Sequence, residues 1–157
     1  MKTIVIYATK YGAAGKVAQR IASRISGAVV HNLKQDGIPN LAGFDCIIVG
    51  SSVYAGMIRK EAKVFLKQNA NVLPEKKLGL FLCGLGGGSN DDKGFDTAFP
   101  PEILQMAKAK CFAGGIFDPQ KAGLMERLII KMVTKSSSYI NNINNAKIDN
   151  FAEAMKS

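Results

Sequence analysis

The sequence predicts an α/β domain of three layers, in which a five-stranded parallel sheet lies between helices on both faces. Short apolar runs rich in β-branched residues alternate with segments of helical periodicity along the chain. Strands that alternate with helices form right-handed crossovers, and these build a doubly wound parallel sheet. A chain of 157 residues with no internal repeat or long linker has the size of one domain. We therefore expect residues 1–157 to form a single domain.

Five short apolar runs are predicted to be the strands of this sheet. They cover residues 2–8, 28–33, 44–50, 78–83 and 111–117. Helices are predicted where apolar residues recur every three to four positions. They cover 12–26, 61–69, a segment near Pro101 that continues over 103–108, then 125–134 and 146–155. Pro101 suits a first helical turn because that position needs no backbone N–H.

Two of the predicted helices, 12–26 and 125–134, have basic faces. In the first, Val17, Ile21 and Ile25 share an apolar face, while Arg20 and Arg24 lie on another. The segment 125–134 has a similar pattern, and its apolar face is expected to pack on the sheet. The alternative for that face is contact with a membrane surface.

Composition limits the cell compartment and the class of partner. No apolar run approaches the roughly 18 residues of a membrane-spanning helix, and no signal peptide is recognised at the start, so a cytoplasmic protein is expected. Cys46, Cys83 and Cys111 form no C-x-x-C pair and are expected to be buried free thiols. The net charge of +9 favours an anionic partner, such as a phosphate, an acidic protein or anionic lipid. Nucleic acid is not favoured, because basic and aromatic residues do not interleave.

Three loops follow predicted strands at the carboxyl edge of the sheet, where open α/β sheets bind ligands. The first, 8–16, offers a hydroxyl, a cation and a helix N-terminus that suits an anion. The second, 50–56, offers hydroxyls and Tyr54, which is able to stack on a planar ring. The third, 83–90, is rich in glycine, so that its backbone is able to approach a flat ligand. The alternative for the first loop is a tight turn that binds nothing.

Several other sites are excluded by missing residues. G-x-G-x-x-G does not follow the first strand, and Gly15-Lys16 lacks the pattern of a nucleotide P-loop. A receiver domain needs carboxylates after the first and third strands, and neither is present. His31, the single histidine, lies in the second predicted strand. No catalytic side chain and no metal site is predicted.

The segments Y-A-T-K-Y-G-A-A-G, I-I-V-G-S-S-V-Y-A-G and the glycine-rich third loop resemble the flavodoxin family over nearly the whole chain. The resemblance implies a flavodoxin-like sheet of order 2-1-3-4-5, with flavin mononucleotide (FMN) at the switch between strands one and three. It assigns the FMN phosphate to the first loop and the two sides of the isoalloxazine ring to the other two. The implied cofactor-binding residues are Thr9, Lys10, Tyr11, Gly12, Ala13 and Ala14; Ser51, Ser52, Val53, Tyr54, Ala55 and Gly56; and Cys83, Gly84, Leu85, Gly86, Gly87, Gly88 and Asn90.

The first loop departs from the family pattern T-x-T-G-x-T. Thr9 and Gly12 match it, whereas Tyr11 and Ala14 replace two hydroxyl residues. Each lost side-chain hydrogen bond is worth about 0.5–1.5 kcal/mol. The chain also has no tryptophan, which leaves Tyr54 as the expected stacking residue.

Within the family, the chain resembles the basic flavodoxin-like, menaquinone-dependent protoporphyrinogen oxidases of heme biosynthesis. The similar segments are S-V-Y-A-G-M-I-R-K-E-A-K-V-F, with Lys60 and Phe65, and the basic, apolar segment 123–132. This resemblance implies an oxidoreductase that passes electrons from a porphyrinogen through FMN to a quinone, at the inner face of an anionic membrane. The short, polar loop 86–92 departs from that subgroup. Two alternatives stay open, an electron carrier with a redox protein as partner and a binding module without flavin.

Overall fold

The computed structural model describes residues 1–85, 91–121, 123–124, 127–128, 131–132 and 138–157. In this part of the chain, five strands form a parallel sheet and three short strands lie outside it. The sheet strands are β1 (Thr3–Ala8), β2 (Val29–Asn32), β3 (Cys46–Tyr54), β5 (Lys77–Cys83) and β6 (Ala107–Phe112). The short strands are β4 (Met57–Ile58), which pairs with the end of β3 in a hairpin, and β7 (Ile116–Phe117), which pairs with β8 (Ile140–Asn141).

Helices surround the sheet. The described helices are α1 (Ala13–Arg24), α2 (Leu33–Asp36), α3 (Lys60–Gln68), α4 (Asp91–Ala98), α5 (Pro101–Met106) and α6 (Asn145–Lys156), with a 3₁₀ turn at Leu73–Glu75. None of them is long and apolar enough to cross a membrane.

The strands follow the order β2-β1-β3-β5-β6, and every neighbouring pair is parallel. With the hairpin strand β4 left out of the count, this is the predicted order 2-1-3-4-5. The order reverses at β1, which pairs with β2 on one side and β3 on the other. The predicted doubly wound α/β fold is confirmed.

The sheet separates two apolar layers. On one face, Phe65 of α3, Phe95 of α4 and Ile103 of α5 pack against Ile6 and Leu80 of the sheet. The opposite face is covered by α1 and α6, whose buried residues Ile21 and Phe151 pack with Ile48 and Phe81. Burying a large apolar side chain contributes about 1.5–3 kcal/mol, so both layers are strongly stabilising. The predicted three-layer arrangement is confirmed.

Ion pairs hold the first helix to the last. Arg20 Nε and Arg20 Nη2 each lie 2.8 Å from an oxygen of the Asp149 carboxylate, and Arg24 Nη2 lies 2.9 Å from Asp149 Oδ2. The basic face of α1 therefore packs beside a carboxylate of α6, far away in sequence. Hydrogen bonds from Arg20, together with the charges of Arg20 and Arg24, hold the pKa of Asp149 below its usual value.

The prediction for the fifth strand was wrong. The sequence predicted residues 111–117, whereas β6 spans Ala107–Phe112 and the predicted helix 103–108 ends at Met106. In β6, Ala107 and Ala109 alternate with the exposed Lys108 and Lys110. Such an alternating pattern is typical of an edge strand with one solvated side, and edge lysines prevent pairing with other chains. It was missed because only the continuous apolar run was read as a strand.

Two further elements differ from the prediction. The third strand was predicted at 44–50 but begins at Cys46 and continues to Tyr54, so much of the second predicted loop is strand. Helix α4 was not predicted, because its sequence D-D-K-G-F-D-T-A is mostly polar. The predicted helix at 125–134 lies mostly outside the described residues. The last helix, predicted at 146–155, is present as α6.

We expect Asp149→Asn to lower the melting temperature by several degrees at neutral pH, since it removes the carboxylate that joins α1 to α6. A carboxyl with a lowered native pKa stabilises the folded state above its unfolded pKa, and that stabilisation is lost as pH falls through the folded pKa. The difference between the two proteins should therefore disappear in acid. Thermal unfolding at neutral pH and near pH 3 checks this; an equal difference at both values would contradict it.

Candidate functional site

A cleft of about 70 Å³ opens at the carboxyl edge of the sheet, beside the switch between β1 and β3. All three predicted loops contribute to it, together with the loop after β6. Its lining consists of Lys10, Tyr11, Ala13, Ser52, Val53, Tyr54, Cys83, Gly84, Leu85, Gly115, Ile116 and Phe117. The sequence thus predicted the location of the cleft and three of its four walls.

The loop after β1 is held in shape by its own backbone and by one side chain. Thr9 Oγ1 accepts a hydrogen bond from Gly12 N at 2.9 Å. Gly12 has φ +94°, a left-handed conformation that glycine adopts without strain. The first amide bonded within α1 is Lys16 N, which donates to Gly12 O at 3.1 Å. The role of Thr9 is therefore to shape the loop.

The start of α1 has the properties of an anion site. The N–H groups of Ala13, Ala14 and Gly15 precede Lys16 N and have no acceptor within the helix. No acidic residue lies in the first turn to compete for them. Aligned N–H groups and the positive end of the helix dipole together bind a phosphate.

Of the two residues that replace hydroxyls in the phosphate loop, the structure places Ala14 in the core and Tyr11 at the cleft. The Ala14 side chain is completely buried in the apolar layer beneath α1, where it packs with Val17 and Ile48. A hydroxyl at this position would point into the core. Tyr11, which replaces the other hydroxyl, lines the cleft, and its Oη is buried without a hydrogen-bond partner among the described residues.

The hydroxyls of Ser51 and Ser52, at the end of β3, form hydrogen bonds that join neighbouring parts of the site. Ser52 Oγ accepts a hydrogen bond from Lys10 N at 3.1 Å and so joins the ends of β1 and β3. The fully buried Ser51 donates to Ser52 O and accepts from Arg59 N at 2.9 Å. Ser51, Ala55 and Gly56 do not line the cleft, whereas Ser52, Val53 and Tyr54 do.

A lysine ammonium lies between two tyrosine rings in the cleft. Lys10 Nζ is 4.7 Å from the centre of the Tyr54 ring and 5.5 Å from that of Tyr11, within the range of cation–π attraction. Burial, and then the charge of Arg59, lowers the pKa of Lys10. Two cations therefore lie close together beside the predicted ring-binding residues.

The hairpin between β3 and β4 turns through left-handed backbone. Ala55 has φ +51° and Gly56 has φ +78°. A Cβ on Gly56 would lie 2.9 Å from the Thr97 methyl group of α4, so a larger residue would require Thr97 to move. Ala55 and Gly56, two of the implied cofactor-binding residues, are thus at the tip of this hairpin.

The third wall of the cleft is the loop after β5 and the fourth is the loop after β6, and their backbones are in contact. Gly84 N donates to Gly114 O at 3.1 Å, and a Cβ on Gly115 would lie only 2.8 Å from Gly84 C. Asn142 fixes the fourth wall, since its Oδ1 accepts a hydrogen bond from Gly115 N at 2.6 Å. The fourth wall was missed because residues 111–117 were predicted as strand; the Gly114-Gly115 pair was the available signal. Gly86, Gly87, Gly88 and Asn90 lie outside the described residues.

The cleft contains no reactive thiol in its described walls. Burial, and then the neighbouring Cys111, raises the pKa of the Cys83 thiol far above its ordinary value, so the neutral form persists. All three cysteines are buried thiols outside any disulfide, as predicted. His31 lies in β2, as predicted, and its Nε2 is 2.7 Å from Gly37 O. The described residues contain no cluster of metal-ligating side chains.

Comparison with known proteins identifies the class of this fold and site. A family model described as a flavodoxin domain matches residues 4–142. The chain belongs to the flavodoxin domain family. No curated protein matches it by sequence. Membership of this family indicates FMN as the cofactor, as the sequence predicted.

Solved structures share the fold at low sequence identity. A short-chain flavodoxin associated with a non-canonical PDU bacterial microcompartment is 16% identical, with a TM-score of 0.60 over 99% of this chain and 97% of its own. Oxidised flavodoxin 2 from Bacillus cereus is 20% identical, with a TM-score of 0.60 over 99% and 98%. Rubredoxin oxygen:oxidoreductase from Desulfovibrio gigas is 13% identical, with a TM-score of 0.59 over 98% of this chain and 35% of that chain.

The residues present fit FMN at both ends of the cleft. The start of α1 supplies N–H donors for a phosphate, and Tyr54 and the Gly84 backbone supply flat walls for a ring. The Lys10 ammonium lies beside both tyrosine rings, within the space that a flavin would enter.

We expect Gly12→Ala to weaken FMN binding about tenfold, because alanine in left-handed backbone costs roughly 1–2 kcal/mol and distorts the loop before α1. Gly27→Ala is the matched control. Gly27 also has a positive φ, +74°, and open space where a Cβ would lie, but it precedes β2 at the opposite edge of the sheet. Titration of each variant with FMN, followed by flavin fluorescence, measures the effect. Equal affinities for the two variants would contradict the assignment.

Proposed function

We propose that this protein is an FMN-dependent electron-transfer protein of the flavodoxin type. The observation that carries the proposal is the cleft at the strand-order switch, whose first wall ends in the free N–H groups of α1. Bound FMN supplies the redox chemistry, because its ring accepts and returns electrons while the protein holds it. The partner is a redox protein or a quinone.

The roles of the residues follow from their positions. The N–H groups of Ala13, Ala14 and Gly15 hold the phosphate, and Tyr54 packs against the ring. The Ala55-Gly56 peptide lies at the hairpin tip, and the left-handed backbone there allows it to turn and accept a hydrogen bond. The buried Ser51 positions this hairpin through its bond from Arg59 N.

The proposal is tested first by the visible absorption spectrum of the purified protein, recorded before and after addition of FMN and removal of the excess. Flavin bands that stay with the protein are expected. A spectrum that stays blank would withdraw the redox function and favour a flavodoxin-like binding module.

The charges in the cleft set the direction in which the protein shifts the redox potential. Lys10 lines the cleft and Arg59 lies close enough to act on its charge, so both add positive charge near the bound flavin. Positive charge favours the addition of electrons, and more strongly where the dielectric constant is low. The midpoint potential is therefore higher than the same cleft would give without these cations.

We expect Lys10→Met to lower the midpoint potential of the FMN-loaded protein by some tens of millivolts. Lys2→Met removes an equal charge at the amino edge of the sheet and should leave the potential almost unchanged. Redox titration of both variants, monitored by flavin absorbance, measures the difference. A potential that stayed fixed in Lys10→Met would oppose the electrostatic role.

A second candidate is oxidation of a porphyrinogen, with a quinone at an anionic membrane as the electron acceptor. The net charge of +9 favours it, as does the exposure of Leu124, Leu128 and Met132, which are 74%, 51% and 81% exposed. Arg127 and Lys131 lie in the same segment. Apolar and basic residues combined in one helical segment are typical of peripheral membrane contact, which would place the protein at the inner face of the membrane.

We expect the purified protein, if it acts in this way, to oxidise protoporphyrinogen when FMN, a menaquinone analogue and anionic lipid vesicles are present. Leu128→Gln should reduce several-fold the fraction of protein that sediments with the vesicles. Val29→Gln, which changes an exposed apolar residue on β2, should leave that fraction unchanged. An absence of porphyrin fluorescence above the rate of spontaneous oxidation would leave electron transfer alone as the function.

A further inference from the structure

A large apolar groove lies on the face of the sheet opposite α1, between α3, the end of α4, and α5. Its volume is about 800 Å³, in the range of about 300–1,000 Å³ that small-molecule sites occupy. It shares no lining residue with the cofactor cleft. A ligand in the groove and FMN in the cleft are therefore able to bind at the same time.

The floor of the groove is made of side chains that also belong to the core. These are Ile58, Leu66, Ala98, Phe99 and Ile103, each less than a tenth exposed. They are held from below by the apolar layer of α3 and α5, so the groove keeps its shape without a ligand. A preformed apolar trough favours a flexible hydrocarbon chain, because burial of each methylene group adds to affinity.

The rim of the groove carries more positive than negative charge. Lys63 and Lys67 lie four residues apart on α3, on the same side of the helix, and Glu102 at the start of α5 is the single acidic residue of the lining. Neither lysine has a hydrogen-bond or ion-pair partner among the described residues. Glu102 lies in the first turn of α5, where the helix dipole stabilises its charge. The two ammonium groups therefore remain to bind an anion.

We propose that this groove binds a long-chain fatty acid, with the hydrocarbon chain along the apolar floor and the carboxylate on Lys63 and Lys67. The combination of an apolar trough with a cationic end matches an amphipathic carboxylate in both charge and shape. A neutral lipid would contact only the apolar floor, and a small anion would contact only the two lysines. Charge-assisted hydrogen bonds from lysine to a carboxylate are stronger than neutral ones, so the head group decides the preference.

The test uses a fluorescent fatty acid bound to the whole protein, with and without FMN, and its displacement by unlabelled ligands. Hexadecanoate should displace the probe at least about tenfold better than hexadecanol, which has the same chain and no charge. Affinity should rise from octanoate to hexadecanoate as more methylene groups are buried. Saturable binding that does not require FMN separates this inference from the proposed function.

Two pairs of charge variants locate the head group. Lys63→Gln/Lys67→Gln should weaken hexadecanoate about tenfold or more and leave hexadecanol unchanged. Lys2→Gln/Lys121→Gln removes the same charge from exposed positions outside the groove and should change neither ligand. If both double variants lost the same affinity for hexadecanoate, the effect would come from the overall charge of the protein, and the proposal would be overturned.

A steric variant tests the floor separately. Ala70→Trp places a large ring at the edge of the groove, beyond the end of α3, where it does not disturb the core. It should weaken both hexadecanoate and hexadecanol, while FMN binding reports that the fold is intact. No saturable binding by the wild-type protein, or hexadecanol bound as tightly as hexadecanoate, would overturn the proposal.

Discussion

The parallel pairing of β1 with β3 is the constraint on which the rest of the site depends. It runs in register from Thr3 opposite Cys46 to Ala8 opposite Ser51, so both strands end at the same level. The loop that opens α1 and the hairpin that carries Tyr54 therefore begin side by side. The hydrogen bond from Lys10 N to Ser52 Oγ is a direct result of this register. A shift of one residue would exchange the β3 side chains between the two apolar layers, which are packed by different helices.

Close backbone contact completes the cleft on its other side. The loops after β5 and β6 approach so closely at Gly84 and Gly115 that a methyl group on Gly115 would collide with backbone atoms. Asn142 holds this contact from a distant part of the chain, through bonds to the N–H and the C=O of Gly115. A wall of backbone presents a flat surface and amide groups rather than mobile side chains. The phosphate end depends on backbone in the same way, since its donors are the first N–H groups of α1.

Positive charge is concentrated at three places in the described part of the chain. Lys10 lines the cofactor cleft with Arg59 near it, Lys63 and Lys67 line the groove on the opposite face of the sheet, and Arg20 and Arg24 both pair with Asp149. Of these three groups, the last is the one that holds helices together. The other two groups lie at the cofactor cleft and at the groove for which a ligand is proposed, so their charge is available for recognition rather than for holding the fold.

The sequence alone determined the fold class, the strand order and the carboxyl edge as the location of the site. Continuous apolar runs such as 2–8 and 78–83 are strong signals, because buried strands of a parallel sheet are apolar on both faces. Residue types also predicted the aromatic wall at Tyr54. Tertiary structure alone decided that β6 is an alternating edge strand, that Ser51 and Ser52 bond within the site, and that Ala14 faces the core. It also decided that Lys10 lies between two tyrosines and that Asn142 fixes the fourth wall. These features depend on contacts between residues far apart in the chain, and local sequence patterns do not predict such contacts.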